Sequence, residues 1–134
     1  TLAGSSAASD VYKRQYKTIN SDKFHTPYSD AIEIGSLVEF SGMIGNDENG
    51  LVDGGFEKEL HQIFKNLKSS LQYYELDLQN VVKAKILLKD INYMPKLNDI
   101  YLSYFQKPLP IRTTFQAAGL PFNAAVEIEF TAHK

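Results

Sequence analysis

The sequence contains no cysteine, only 5 prolines and 8 glycines among 134 residues, and no long hydrophobic run. Without cysteine there can be no disulfide, no thiolate nucleophile and no zinc or iron–sulfur site built on thiolates. Fibrous and low-complexity chains need far more proline and glycine, and a membrane-spanning helix needs about 20 mostly apolar residues in succession. The formal net charge of -2 argues against binding nucleic acid or an anionic membrane through overall charge.

The remaining composition is typical of one globular domain. It is 43% hydrophobic, 12% aromatic and 22% charged, and a chain of this length buries roughly two-thirds of its unfolded surface in a single core. The lack of cysteine also fits a reducing compartment. We therefore expect a cytoplasmic protein, with an organelle as the alternative if native residues precede Thr1.

The first 15 residues differ in character from the rest of the chain. They are small, polar and aperiodic, and they lack the continuous apolar stretch of a secretory signal. Such a composition favours disorder over a packed element. We expect residues 1–15 to be a disordered or non-native extension and residues 16–134 to form a single domain.

Hydrophobic periodicity predicts an α+β domain with both helices on one face of a sheet. The order is two short strands joined at Gly35-Ser36, a glycine-rich loop, a helix, a strand, a second helix from Pro95 to before Pro108, and two more strands. The predicted strands are 31–34, 37–40, 81–89, 111–117 and 126–132. The glycine-rich loop is 42–55, and the first helix is 56–74.

Alternation along the last two strands predicts which side chains are buried. The apolar series is expected to face the helices, and the polar series between them is expected to face away. The predicted core positions are Ile111, Thr113, Phe115 and Ala117 on the first strand and Val126, Ile128, Phe130 and Ala132 on the second. The predicted helix-free face carries Arg112, Thr114, Gln116, Glu127 and Glu129.

Arg112 and Glu127 have two interpretations. They could form an exposed cross-strand ion pair, which contributes less than about 1 kcal/mol. Alternatively, Arg112 binds a substrate carboxylate through two parallel hydrogen bonds, while Glu127 transfers protons. The alternation of residues does not distinguish these interpretations.

Other chemistry finds little support in the sequence. His25, His61 and His133 do not have metal-ligand spacing, and no metal site is expected. The glycine-rich loop matches no phosphate-binding pattern. The strand that carries Lys83 and Lys85 lacks the exposed aromatic residues of a single-strand nucleic-acid binder.

Several motifs in one order resemble the reactive intermediate deaminase (Rid, or YjgF) family. The similarity extends from about Tyr16 to His133, essentially the whole predicted domain. The matching blocks are Pro27–Ser29 (PYS), Phe40–Gly42 (FSG), Asn66–Lys68 (NLK), Leu88–Asp90 (LKD), Leu97-Asn98 followed by Tyr101, Pro110–Phe115 (PIRTTF), Gly119–Pro121 (GLP) and Val126–Glu129 (VEIE).

The resemblance implies a fold, an assembly and an activity. The fold would be a chorismate-mutase-like α+β domain, assembled as a homotrimer with sites between subunits. The activity would be the hydrolysis of imines and enamines, such as 2-aminoacrylate, to 2-oxo acids and ammonia, with no cofactor, metal, nucleic acid or membrane involved. Arg112 would bind the substrate carboxylate, and Glu127 would activate water.

The resemblance also assigns smaller roles to five positions. Tyr28, Ser41 and Asn98 would line the pocket, while Gly42 and Thr114 would present backbone groups to the ligand. From the residues alone, Tyr28 could instead pack on a loop, Ser41 could bond to backbone, and Asn98 could face water.

Three residues depart from the family pattern. Many members have Cys where Thr114 stands, Met43 replaces a usual Gln, and Thr26 replaces a Gly. The last two changes fall at the expected rim of the pocket, so they bear on which imine fits.

Two other functions stay open at the level of sequence. A non-catalytic protein could bind small carboxylates through Arg112 for regulation. A ribonuclease or translation inhibitor is less well supported, because the net charge is negative and the sequence predicts neither a basic groove nor a placed histidine pair.

Overall fold

The computed structural model describes residues 26–134, in which two helices cover one face of a mixed sheet. The elements are β1 (Ala31–Ile34), β2 (Leu37–Phe40), β3 (Asn46–Asp47), β4 (Gly50–Leu51), α1 (Gly55–Tyr73), β5 (Val81–Leu88), α2 (Met94–Tyr104), β6 (Ile111–Gln116) and β7 (Val126–His133). The five-stranded sheet has the order β1-β2-β7-β5-β6, and β3 and β4 form a separate hairpin. Only β5 and β6 pair in parallel; the other neighbours are antiparallel.

The helical spacing of apolar residues in 56–74 predicts an apolar stripe on one face of α1, and this stripe is the centre of the core. Its six residues are all buried: Phe56, Leu60, Ile63, Phe64, Leu67 and Leu71. The ring of Phe64 contacts the rings of Tyr101 and Phe105 near the end of α2 and of Phe130 on β7. The amphipathic pattern therefore predicts correctly both the helix and its buried face.

The prediction for β6 is wrong about which residues face the helices. Arg112 lies beside Ala84 in the β5–β6 register, and Thr114 lies beside Ile86. Because both β5 residues are fully buried beneath the helices, Arg112 and Thr114 lie on the helix face. Gln116 shares this face, since it lies beside the buried Leu88.

The apolar residues of β6 lie on the opposite, helix-free face for the same reason. Ile111 is 68% exposed and Phe115 is also exposed. Because β6 is an edge strand, it pairs with β5 alone. No strand on its other side requires its apolar side chains to face the core. The predictions that Glu127 and Glu129 lie on the helix-free face are confirmed, because they alternate with the buried Val126 and Ile128.

Two smaller predictions need correction. The alternation of residues 81–89 predicts that Val82 faces the core together with Ala84. Val82 is instead exposed, because the β5–β7 register shifts between Val81 and Lys83, which is a β-bulge. The segment 42–55 was expected to be loop throughout, but it contains the β3–β4 hairpin. The predictions about residues 1–15 and His25 lie outside the described residues.

Within residues 26–134, neither helix is both long enough and apolar enough to cross a membrane.

Replacing Leu67 by alanine tests the assignment of the core. Leu67 is fully buried on α1, so Leu67→Ala should lower the free energy of unfolding by about 2–5 kcal/mol. Urea denaturation followed by circular dichroism, at one fixed protein concentration, measures the change. Leu102→Ala is the matched control: Leu102 is 58% exposed on α2 and should change stability by less than about 0.5 kcal/mol. Equal losses in the two variants would contradict the assignment.

Candidate active site

A cavity of about 860 Å³ brings together four of the predicted site residues: Tyr28, Ser41, Gly42 and Glu127. We call it the glutamate cavity. Tyr28 is 55% exposed and lies in the wall of this cavity. Thr26 and Met43, the two departures at the expected rim, also line this cavity.

Gly42 lies directly against the carboxyl group of Glu127. Met43 exchanges two backbone hydrogen bonds with Ile128, at 2.8 and 3.0 Å, and these draw the segment after β2 onto β7. A Cβ atom at Gly42 would come within 3.0 Å of Cδ and Oε1 of Glu127. A side chain at this position would displace the carboxyl group by a few tenths of an ångström.

Ser41 holds the loop that carries Tyr28. Its hydroxyl donates to the carbonyl oxygen of Ser29 at 2.6 Å, and its backbone N–H donates to the carbonyl oxygen of Asp30 at 2.8 Å. The hydroxyl is therefore bonded to backbone, which was the structural alternative for this residue. Ser41 contributes by fixing the cavity wall.

Glu59 is a buried carboxylate that the sequence-based prediction placed outside the apolar stripe of α1. It is 4% exposed, and its Oε1 accepts a hydrogen bond at 2.8 Å from the backbone N–H of Ala125, two residues before Glu127. A Cβ atom at Gly45 would come within 2.5 Å of the Glu59 backbone. Glu59 is three residues after Phe56 and four before Ile63, a helical spacing that could have placed it at the edge of the stripe.

Two causes raise the pKa of the Glu127 carboxyl group. Burial raises its pKa above the ordinary value for glutamate, and the negative charge of Glu129 raises it further. Asp30 lines the same cavity, and burial raises the pKa of that carboxyl as well. A carboxylate with a raised pKa is a stronger base than an ordinary one.

Arg112 lies in a second group of residues, which we call the arginine cradle: Met94, Asn98, Tyr101 and Arg112. Nη2 of Arg112 donates to Oδ1 of Asn98 at 2.8 Å and contacts Sδ of Met94 at 3.5 Å. Its Cζ lies 5.1 Å from the centroid of the Tyr101 ring, a distance typical of a cation–π contact.

The cradle differs from the sequence-based expectation at Asn98, Met94 and Tyr101. The interpretation that Asn98 faces water is wrong, because its side chain binds Arg112. Met94 and Tyr101 were not predicted to contribute, although positions 94, 98 and 101 follow the i, i+4, i+7 spacing of one helical face.

Two buried hydroxyl groups near the guanidinium have no hydrogen-bond partner among the described residues: Oγ1 of Thr114 and the phenol oxygen of Tyr101. Burial raises the pKa of Tyr101 to about 12, although the positive charge of Arg112 acts in the opposite direction. The phenol is therefore neutral at physiological pH. Thr114 follows Arg112 by two residues on the same strand face, so its hydroxyl lies on the side of the sheet that carries the guanidinium.

Within one chain, Arg112 and Glu127 do not meet. Arg112 is on the helix face beside Ala84, whereas Glu127 is on the helix-free face beside Leu87, and β5 lies between the two strands. Strand spacings of about 4.8 Å and residue spacings of about 3.3 Å place their Cα atoms on the order of 14 Å apart. This topology excludes the ion pair that the sequence left open.

Among residues 26–134, no three His, Asp or Glu side chains are grouped so that they could hold a metal ion.

Comparisons with known proteins agree over nearly the whole chain. A family model described as endoribonuclease L-PSP matches residues 18–134. A 2-iminobutanoate/2-iminopropanoate deaminase of Mus musculus is 37% identical over 126 residues, 92% of this chain and 93% of the mouse protein. Reactive Intermediate Deaminase A of Arabidopsis thaliana, named chloroplastic, is 37% identical over 128 residues, 94% of this chain and 68% of the plant protein. The crystal structure of RidA from Psychrobacter sp. PAMC 21119 has a TM-score of 0.78 and 32% identity, and the match covers 81% of this chain and 89% of that one.

The effect of Glu129 on Glu127 can be measured without any substrate. Because the charge of Glu129 raises the pKa of Glu127, Glu129→Gln should lower that pKa. Titration of the ¹³C carboxyl signals by NMR measures the change. The difference in pKa between the variant and the wild type should be smaller in 1 M salt, where the Debye length is about 3 Å. Glu75→Gln, at an exposed carboxylate beyond α1, is the control. An unchanged pKa at low salt would show that burial alone raises it.

Proposed function

The chain belongs to the Rid (YjgF/RidA) family of imine deaminases, and on that premise we propose that it hydrolyses enamines and imines derived from amino acids to 2-oxo acids and ammonia. We expect 2-aminoacrylate to be among its substrates. The observation that carries the proposal is Glu127, a half-buried carboxylate with a raised pKa that faces a cavity next to Gly42.

Glu127 supplies the acid–base chemistry. Its ionised carboxylate accepts a proton from water as the water oxygen bonds to the imine carbon. The protonated carboxyl then returns that proton to the nitrogen, which gives a carbinolamine. The carboxylate next takes the proton of the new hydroxyl group and passes it to the nitrogen, so that the C–N bond breaks as the C=O bond forms and ammonia leaves. One water is consumed for each imine, and Glu127 ends in its starting state. An imine carbon is already electrophilic, so orientation and proton transfer supply the catalysis.

Arg112 orients the substrate. All of its hydrogen bonds to described residues are made by Nη2, so the N–H groups of Nε and Nη1 remain to make charge-assisted hydrogen bonds to a carboxylate. Met94, Asn98 and Tyr101 hold the guanidinium in place before the substrate binds. The buried Thr114 hydroxyl without a partner is a second donor for the same carboxylate, beyond the backbone contact that the family resemblance implies.

The separation of Arg112 from Glu127 supports a site between subunits. We propose that Arg112 of one chain and Glu127 of the next complete each site of a homotrimer. The helix-free face is suited to such an interface because it exposes apolar side chains from four strands: Ile34, Leu37, Val82, Ile111 and Phe115. Exposed apolar patches on a folded domain mark interaction surfaces.

The remaining expectations follow from this reaction. Hydrolysis of an imine requires neither a redox cofactor nor a metal ion, and no nucleic acid takes part. The cytoplasm stays the predicted compartment, and the chloroplastic relative keeps an organelle as the alternative.

Substitution of the two central residues tests the reaction. Arg112→Ala should abolish turnover of 2-aminoacrylate, because the carboxylate is no longer held. Glu127→Gln should slow it about 100-fold or more, the usual loss for a general acid–base. The substrate is generated in situ from serine by a dehydratase, and pyruvate formation is followed. Lys65→Ala, at an exposed cation on α1, is the control. Wild-type rates in Arg112→Ala would contradict the assignment, and saturable 2-oxo acid binding without turnover by the wild type would favour a binding protein.

Mixing the two inactive variants tests the shared site. Co-refolded Arg112→Ala and Glu127→Gln chains form mixed trimers in which one subunit supplies an intact arginine and its neighbour an intact glutamate. Random mixing in a cyclic trimer restores about a quarter of the sites. We expect that fraction of wild-type activity, with mixed trimers confirmed by native mass spectrometry. No recovery in mixed trimers would show that both residues act from one chain.

A further inference from the structure

Phe122 combines two features that are unfavourable in an ordinary surface residue. It lies in the 3₁₀ turn Pro121–Asn123 just before β7, with φ 57° and ψ 23°, the left-handed region that bulky side chains avoid. Its side chain is 84% exposed, so most of an apolar ring faces water. Backbone strain of this kind persists where the surrounding structure imposes it, and it concentrates at functional sites.

The turn holds the Phe122 ring at the glutamate cavity. Phe122 and Pro121 both line the cavity that contains Glu127. The backbone N–H of Asn123 donates to the carbonyl oxygen of Leu120 at 3.1 Å, and that of Ala124 donates to Pro121 at 3.1 Å. The following residue, Ala125, is held by the buried carboxylate of Glu59. These bonds hold the backbone of the turn, which places the Phe122 side chain at the wall of the cavity.

The cavity is large and partly apolar. In the single chain, its volume of about 860 Å³ lies in the range of pockets that enclose drug-sized ligands, which is more space than a three-carbon imine needs. Besides Phe122 and Pro121, the apolar residues of its wall are Pro27, Tyr28, Met43, Ile44 and Leu51.

The charges of the cavity disfavour a second anionic group on the substrate. Asp30, Asp47 and Glu127 all line it, so a side chain that carries its own carboxylate would meet three acidic residues. A large apolar side chain meets no such repulsion, and it would remove the exposed ring from water.

We propose that Phe122 determines the substrate specificity of this protein by packing against the side chain of the imine. The preferred class is imines with an apolar side chain larger than methyl, such as those from leucine and phenylalanine. This inference rests on the proposed deaminase function and extends it to the choice of substrate.

The test compares imines made in situ by an L-amino-acid oxidase with catalase from leucine, phenylalanine, alanine and lysine. Imine that escapes hydrolysis is trapped with semicarbazide, which gives kcat and KM for each substrate. Phe122→Asn removes the ring but keeps a residue that tolerates the left-handed conformation, and Phe122→Tyr retains the ring. Leu102→Ala is the control, because it removes an exposed apolar side chain of α2 that does not line the cavity.

The expected result is a loss of kcat/KM that is confined to imines with large apolar side chains. Phe122→Asn should lower kcat/KM about 10-fold for the leucine and phenylalanine imines, mainly by raising KM, since the ring binds ground and transition states alike. The alanine imine should change less than about 2-fold. Phe122→Tyr and Leu102→Ala should resemble the wild type, and light scattering should show one assembly mass for all variants.

Several outcomes would overturn the inference. Equal losses for every imine, or a changed assembly mass, would give Phe122 a structural role. A wild-type preference for the lysine imine that Asp30→Asn removes would assign specificity to Asp30. Hydrolysis of the alanine imine with no effect of Phe122→Asn on the larger ones would refute this inference alone, whereas inactivity towards every imine would refute the proposed function as well.

Discussion

The alternation of side chains across a β-strand is the constraint on which the function of this fold depends. Successive residues of a strand point to opposite faces, and β5 separates the strands that carry Arg112 and Glu127. A side-chain rotation cannot bring a group through a hydrogen-bonded sheet. The chain therefore presents an arginine cradle on one face and a glutamate cavity on the other. Chemistry that needs both groups requires a second copy of the chain.

Each half of the site is held by close packing of its backbone or side chains. The segment 42–45 lies between β7 and α1, and glycine at both of its ends permits contacts that a Cβ atom would block. The buried Glu59 on α1 bonds the residue that leads into β7. Arg112 is held by a hydrogen bond and an aromatic ring from one helix. Groups fixed before the substrate binds lose little further entropy on reaction.

The sequence predicts the elements with a clear apolar pattern and fails where the pattern depends on other parts of the molecule. The stripe on α1 and the alternation of β7 fix their buried faces, because each packs against the helix–sheet core. Glu59 has the composition of a surface residue, and only the backbone of Ala125 accounts for its burial. Phe122 gives no sign in the sequence of its strained backbone. Tyr28, Ser41, Gly42 and Glu127 converge on one cavity as the family motifs suggest.

The error on β6 bears on the assembly. The alternation of Ile111 and Phe115 indicates a buried apolar face, yet within one chain that face is exposed. An apolar series is retained on an edge strand at a risk of aggregation unless another surface covers it. In the proposed trimer the neighbouring chain covers the helix-free face, so these residues would be buried, as their pattern indicates. The same orientation of β6 places Arg112 on the sheet face opposite to Glu127 of its own chain. The exposed apolar face and the divided site thus have one structural cause, and one assembly accounts for both.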